Sequence, residues 1–148
     1  MRRELAVLAV AIGAVGCGPS RADFDRVARR LPEDGAPIVS ALLEYERVHG
    51  MPAASLEDLQ GDVLTSIPRR TKPAGWDPRG PEWTWAYREG AAIADLGTCG
   101  MGEHRWVLFV QTSGAEACCY VLYTPDEHYS KGGWFTEDWD DWAYCCSW

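Results

Sequence analysis

At 148 residues the chain has room for one domain around a single core, and no second domain is expected. Its formal charge of -8 repels phosphate backbones, which excludes nucleic acid as a natural partner. Six cysteines, four of them in the adjacent pairs Cys118-Cys119 and Cys145-Cys146, fit an oxidising compartment better than a reduced cytosol.

Arg2 and Arg3 lead into the apolar run Leu5 to Val15. As a helix it is too short for a hydrocarbon core of ~30 Å, but it suits the central part of an export signal. The run ends in Ala14-Val15-Gly16-Cys17, which looks like a bacterial lipobox: small residues before a cysteine whose thiol takes lipid and whose amine becomes the new N-terminus. Residues 1–16 are therefore read as a lipoprotein-type signal peptide and Cys17 as the lipidation site. An ordinary secretory signal with an incidental Cys17 is the alternative. Loss of Arg2, Arg3 and Glu4 leaves the mature protein one unit more acidic.

From Ser20 to Leu31, Phe24, Val27, Ala28 and Leu31 recur at helical spacing before Pro32, Gly35 and Pro37 interrupt. Residues 17–35 are thus a lipid-anchored tether or a short helix docked on the core, and their polar composition favours the tether. The domain proper is expected over 36–148.

Pro37 suits a first helical turn, where its missing amide has no partner to lose. Ile38, Ala41, Leu42, Tyr45 and Val48 then form one apolar stripe, with Glu44, Glu46 and Arg47 opposite. Gly50 is placed for a left-handed cap and Pro52 opposes continuation, so the helix stops near His49. A lone histidine in a last helical turn complements the helix dipole and needs no catalytic role. Ser55 followed by Glu57 and Asp58 reads as the N-cap of a short helix whose Leu56 and Leu59, with Leu64, tuck under the core.

Trp83, Trp85 and Tyr87 alternate with Thr84, Ala86 and Arg88, the period of a strand with one buried face. Arg105 to Thr112 is a second strand, apolar on both faces and so central, and Ala117 to Thr124 a third. The loop Ala94 to Glu103 holds three glycines but lacks the Gly-x-x-x-x-Gly-Lys-Ser/Thr pattern, so no nucleotide site is read into it. Packing the helix on this antiparallel sheet gives an α+β domain.

The order Gly50-Met51-Pro52, Ser55-Leu56-x-x-Leu59, Ile67-Pro68 and Asp77-Pro78-Arg79-Gly80 before an aromatic strand resembles the soluble domain of type II secretion pseudopilins and type IV pilins. The ordered set covers about a third of the chain, from Ile38 to Trp85, and departs from the family at Arg79, where an aromatic residue is usual. The resemblance implies a pilin-like fold, an amphipathic helix packed on a small β-meander, and partners among envelope or secretion-system proteins. Major pseudopilins bind calcium through a loop near the C-terminus, which makes Asp138, Asp140 and Asp141 the candidate calcium ligands. The EF-hand spacing is absent, and the alternative is a solvated acidic loop. Glu4 followed by aliphatic residues is similar to the pilin N-terminal helix, which would make the chain a filament subunit.

With Cys17 reserved for lipid, Cys99, Cys118, Cys119, Cys145 and Cys146 form an odd set, with two bridges and one free thiol. Neighbours on a strand face opposite ways, so one of Cys118 and Cys119 is expected to bond one of Cys145 and Cys146, with Cys99 joining a remaining thiol. A thiolate metal site completed by His104 or His128 is the competing arrangement, disfavoured because adjacent cysteines reach one ion poorly. Trp134, Trp139, Trp142 and Trp148 form either a stacking platform for sugars or a partner protein, or the filling of a thin core, the commoner use. No Ser/His/Asp set or paired-carboxylate arrangement can be assembled without free choice among unrelated positions, so the expected protein is a non-catalytic, lipid-anchored module of the bacterial cell envelope, held at the membrane by its lipid. The alternatives are a filament-forming pseudopilin and a carbohydrate- or calcium-binding surface lipoprotein.

Overall fold

A computed structural model describes residues 21–61, 63–68, 82–89, 104–112, 118–126 and 135–147, apart from the side chains of 21–24, 118, 135–138 and 147. The fold is α+β. Two helices, α1 (Arg21–Ala28) and α2 (Leu31–His49), precede a 3-10 turn, Glu57–Leu59. Among the described residues five antiparallel strands follow: β1 (Trp85–Glu89), β2 (Trp106–Gln111), β3 (Cys118–Tyr123), β4 (Phe135–Trp139) and β5 (Trp142–Ser147). Their order in the sheet is β1-β2-β3-β5-β4.

Helix α2 starts six residues before the expected Pro37. Pro32 occupies the first turn, acidic Glu33 and Asp34 lie at the positive end of the helix dipole, and Gly35 and Pro37 lie inside. Pro37 removes one internal hydrogen bond, that to Glu33, but burial of Leu31, Gly35, Ile38, Val39, Ala41 and Leu42 holds the helix together across the gap. The tether reading of 17–35 does not suit its last part, because Ala28 and Leu31 are wholly buried. The C-terminal end is as expected: Gly50 takes φ 72° and its N–H donates to the Glu46 carbonyl. Val48, placed on the apolar stripe by its spacing, is 60% exposed, whereas Tyr45 one turn earlier still packs on the core.

The tail forms β4 and β5, not a loop. Trp139 pairs with Trp142 across the two-residue connection Asp140-Asp141, with Asp140 at φ 54°. Aspartate tolerates this left-handed conformation better than most residues, which lets an acidic dipeptide close a hairpin. Because β5 lies beside β3 and β4 lies outside it, the sheet departs from a simple meander.

On the helix side, Trp85, Tyr87, Trp106, Leu108, Val110, Val121, Tyr123, Trp142 and Tyr144 form the main core with Ile38 and Leu42. Trp142 packs on Tyr123, Tyr123 on Trp106, and Trp106 on Tyr87, at ring separations of 5.3, 5.8 and 6.0 Å. The opposite face carries a smaller buried cluster, Val107, Phe109, Leu122, Ala143 and Cys145. Gly35 is where α2 meets the rings: a Cβ there would lie 2.5 Å from Cη2 of Trp142 and 2.6 Å from Cη2 of Trp85.

Candidate functional site

The cysteine prediction can be followed through the hydrogen-bond ladder. The Thr112 N–H donates to the Cys119 carbonyl at 2.8 Å, so the backbone polar groups of Cys119 point toward β2. Cys119 and its partner Cys146 on β5 are therefore a non-hydrogen-bonded pair, the type in which opposed side chains approach most closely. They are joined by a disulfide, with Cα atoms 4.0 Å apart. The Tyr144 hydroxyl donates to Cys146 Sγ at 3.2 Å. Cys145, on the opposite face of the sheet, is disulfide-bonded too. Cys17, Cys99, His128, Trp134, Trp148 and the glycine-rich loop lie outside the described residues, as does the side chain of Cys118.

Asp140 and Asp141 are exposed at the hairpin turn; Asp138 lies on β4 and its side chain is outside the described ones. Among the described residues no group of three or more His, Cys, Asp or Glu side chains is gathered for a metal ion. Trp139 and Trp142 are buried at 8% and 6% exposure, so they fill the core and offer no open stacking platform. His49 Nδ1 lies 3.0 Å from the Tyr45 carbonyl and its ring stacks on Tyr45, a local helix-end arrangement.

Two features were not anticipated. The first is a polar cluster tying α2 to one end of the β2–β3 pair, where β2 begins and β3 finishes. Arg105 donates through its backbone N–H and Nε to Asp126, at 2.9 and 3.2 Å, and through a guanidinium nitrogen to Glu46 at 2.5 Å. Trp106 Nε1 donates to the other Glu46 oxygen at 3.3 Å. Glu46 is thus not on the solvent side of α2; it sits four residues after Leu42 and continues the buried stripe, the signal that could have revealed it. Continuing the β2–β3 register by three residues likewise places Arg105 opposite Asp126. His104 lies alongside, its Nδ1 3.6 Å from Asp126 and its Nε2 buried without a partner among the described residues. Among the described residues the cluster contains no positioned nucleophile, and its groups hold one another. Its geometry is that of a structural clasp.

Burial by itself would raise the Asp126 carboxyl, but the Arg105 backbone N–H, its guanidinium and His104 together hold it below the usual carboxylate range. A depressed folded-state pKa contributes stability that is present above the unfolded value and is lost as pH falls through the folded one. Asp126→Asn is accordingly expected to cost about 1 kcal/mol at neutral pH, a modest figure because both partners are partly exposed. The deficit should vanish in strong acid. An equal deficit at all pH values in thermal melts would show that charge is not the cause.

The second feature is a slot along the outer side of β1. One cavity of about 350 Å³ lies between Ala54–Glu57 and Trp85–Arg88, and a neighbouring one of about 790 Å³ is bounded by Gln60, Ser66–Pro68 and Thr84. Glu57 and Trp85 border both. The Ser55 N–H donates to the Asp58 carboxylate at 2.9 Å, so the turn over this slot is closed by Asp58, not by the expected Ser55 cap. Burial, and then the carboxylates of Glu89, Glu46 and Asp58, push the Tyr87 phenol up, so it stays protonated at any physiological pH.

Comparison with protein-family models, with curated proteins and with solved structures found no match for this chain.

Proposed function

We propose that this is a lipid-anchored, extracytoplasmic protein of the bacterial cell envelope, a non-catalytic protein-interaction module of pseudopilin-like design. The observation that carries the reading is the disulfide Cys119–Cys146, with Cys145 bonded as well: a small sheet stapled by sulfur belongs where thiols are oxidised. The lipobox-like Ala14-Val15-Gly16-Cys17 supplies the route there and the means of staying at the membrane. Among the described residues no helix is long and apolar enough to cross a membrane, and the lipid on Cys17 would supply the attachment. The α2 helix ending at Gly50-Met51-Pro52 and covering an antiparallel sheet supports the pseudopilin-like part of the reading. Partners are then other envelope or secretion-system proteins.

The test is metabolic labelling with palmitate in cells producing the full chain. Label is expected in the wild-type protein and absent from Cys17→Ser, with the label-free variant still exported and oxidised. Label persisting in Cys17→Ser, or wild-type protein recovered with every thiol reduced, would remove this reading.

A further inference from the structure

The edge of the sheet at β1 differs from an ordinary strand edge. Since Thr112 bonds toward β3, the polar backbone groups of alternate residues Val110 and Leu108 also point there, and those of Phe109 and Val107 point toward β1. Ala86 and Arg88 answer them. The N–H and C=O groups of Trp85, Tyr87 and Glu89 consequently face away from the sheet, where β1 has no neighbour among the described strands. The Tyr87 carbonyl accepts from the Arg88 guanidinium at 2.9 Å, a side-chain plug on one of these groups. Among the described residues nothing else bonds them. Exposed edges of this sort template pairing with another chain, and folded proteins normally cover or blunt them.

This edge opens on the slot already described, so an incoming strand has space beside it. The rim selects the occupant. Exposed Glu57 borders both parts of the slot, exposed Asp58 follows it in the chain, and half-buried Glu89 follows Arg88 at the end of β1. Arg88 is the one cation among the described residues lining it, and its guanidinium lies over the Phe109 ring as well as on the Tyr87 carbonyl. A second copy would bring these carboxylates against their own equivalents, on a chain of charge -8. A basic segment meets no such repulsion.

We propose that the outer edge of β1 binds an extended, basic peptide segment of a partner protein, which joins the sheet as a further strand in the slot beside residues 54–57. Backbone groups of the segment pair with Trp85, Tyr87 and Glu89, displacing Arg88 from the Tyr87 carbonyl, and its alternate cationic side chains meet Glu57, Asp58 and Glu89. The proposal rests on the protein-interaction reading above and specifies its surface.

The experiment uses the mature, oxidised protein and a synthetic peptide of alternating lysine and valine, with a glutamate–valine peptide as control. Amide exchange at Trp85, Tyr87 and Glu89 is expected to slow on addition of the basic peptide, while Ala86 and Arg88, already bonded to β2, stay as they were. Affinity should fall about tenfold in Glu57→Lys with Glu89→Lys, and the control should not bind. Saturation without protection of those three amides, or equal binding of the acidic peptide, would overturn the proposal. Protection that appears on concentrating the protein alone would overturn it too, by identifying a second copy as the occupant. Palmitate labelling is read separately, so failure here leaves the envelope assignment in place.

Discussion

Gly35→Ala is expected to destabilise the protein by about 2 kcal/mol, although helix propensity taken alone favours alanine by about 1 kcal/mol. The reason lies in the sheet. Trp85 on β1 and Trp142 on β5 come from strands separated by β2 and β3, and their rings meet beneath α2 with centroids 5.7 Å apart. A methyl group on Gly35 would lie under 3 Å from both indoles, and neither is the free end of a flexible chain. Either the rings move, disturbing their contacts with Tyr123 and Gly35's neighbours, or the helix lifts from the sheet. At this chain length the melting temperature should fall by roughly 4–8 °C. A variant that melts higher than the parent would mean that the helix does not approach the sheet at this point.

The second large effect is expected from removing the Cys119–Cys146 bond by Cys119→Ser together with Cys146→Ser. The two residues are 27 positions apart, and the chain-entropy relation for a loop of that size gives at most about 3.5 kcal/mol, since the Cys145 disulfide stays in place and already restricts the unfolded chain. The bond ties β5 to β3 and, through the β4–β5 ladder, the last hairpin to the rest of the sheet. Changing both residues avoids leaving a thiol beside the Cys145 disulfide, where exchange would obscure the result. Denaturant midpoints of the double variant and the parent measure the difference. Equal midpoints would show that the ladder and the buried Trp142 and Tyr144 hold β5 unaided.

Several features were legible because they depend on local periodicity. Trp83, Trp85 and Tyr87 alternate with more exposed neighbours, and all three are buried. The continuous apolar run of β2 marks an inner strand, as its place between β1 and β3 requires. Gly50 and Pro52 mark the end of α2 where the helix stops. Pro32, Gly35 and Pro37 were misleading because each is unfavourable inside an isolated helix, whereas contact with the sheet compensates for the lost hydrogen bond. The second hairpin was missed because Glu137, Asp138, Asp140 and Asp141 belong to residue types depleted in strands. Pairing with β5, itself anchored to β3, overrides that preference.

The candidate sites divide along the same line. The preference for one cysteine from each adjacent pair followed from side-chain alternation alone, but the identity of the pair depended on which residues face across a non-hydrogen-bonded position. The Arg105–Asp126–Glu46 clasp and the slot beside β1 join segments up to sixty residues apart, and no local pattern announces them.

By itself the sequence determined an acidic chain with a lipobox-like tetrapeptide ending at Cys17, an amphipathic helix with a defined end, and strands whose apolar residues alternate, since each of these is a property of neighbouring residues. Tertiary structure alone decided that α2 begins at Leu31, that Cys119 meets Cys146, and that β1 borders a slot lined by residues 54–57. Those outcomes depend on strand register and on the approach of α2 to the sheet. Both are set by contacts between residues distant in the chain, whose summed burial outweighs what any one segment prefers.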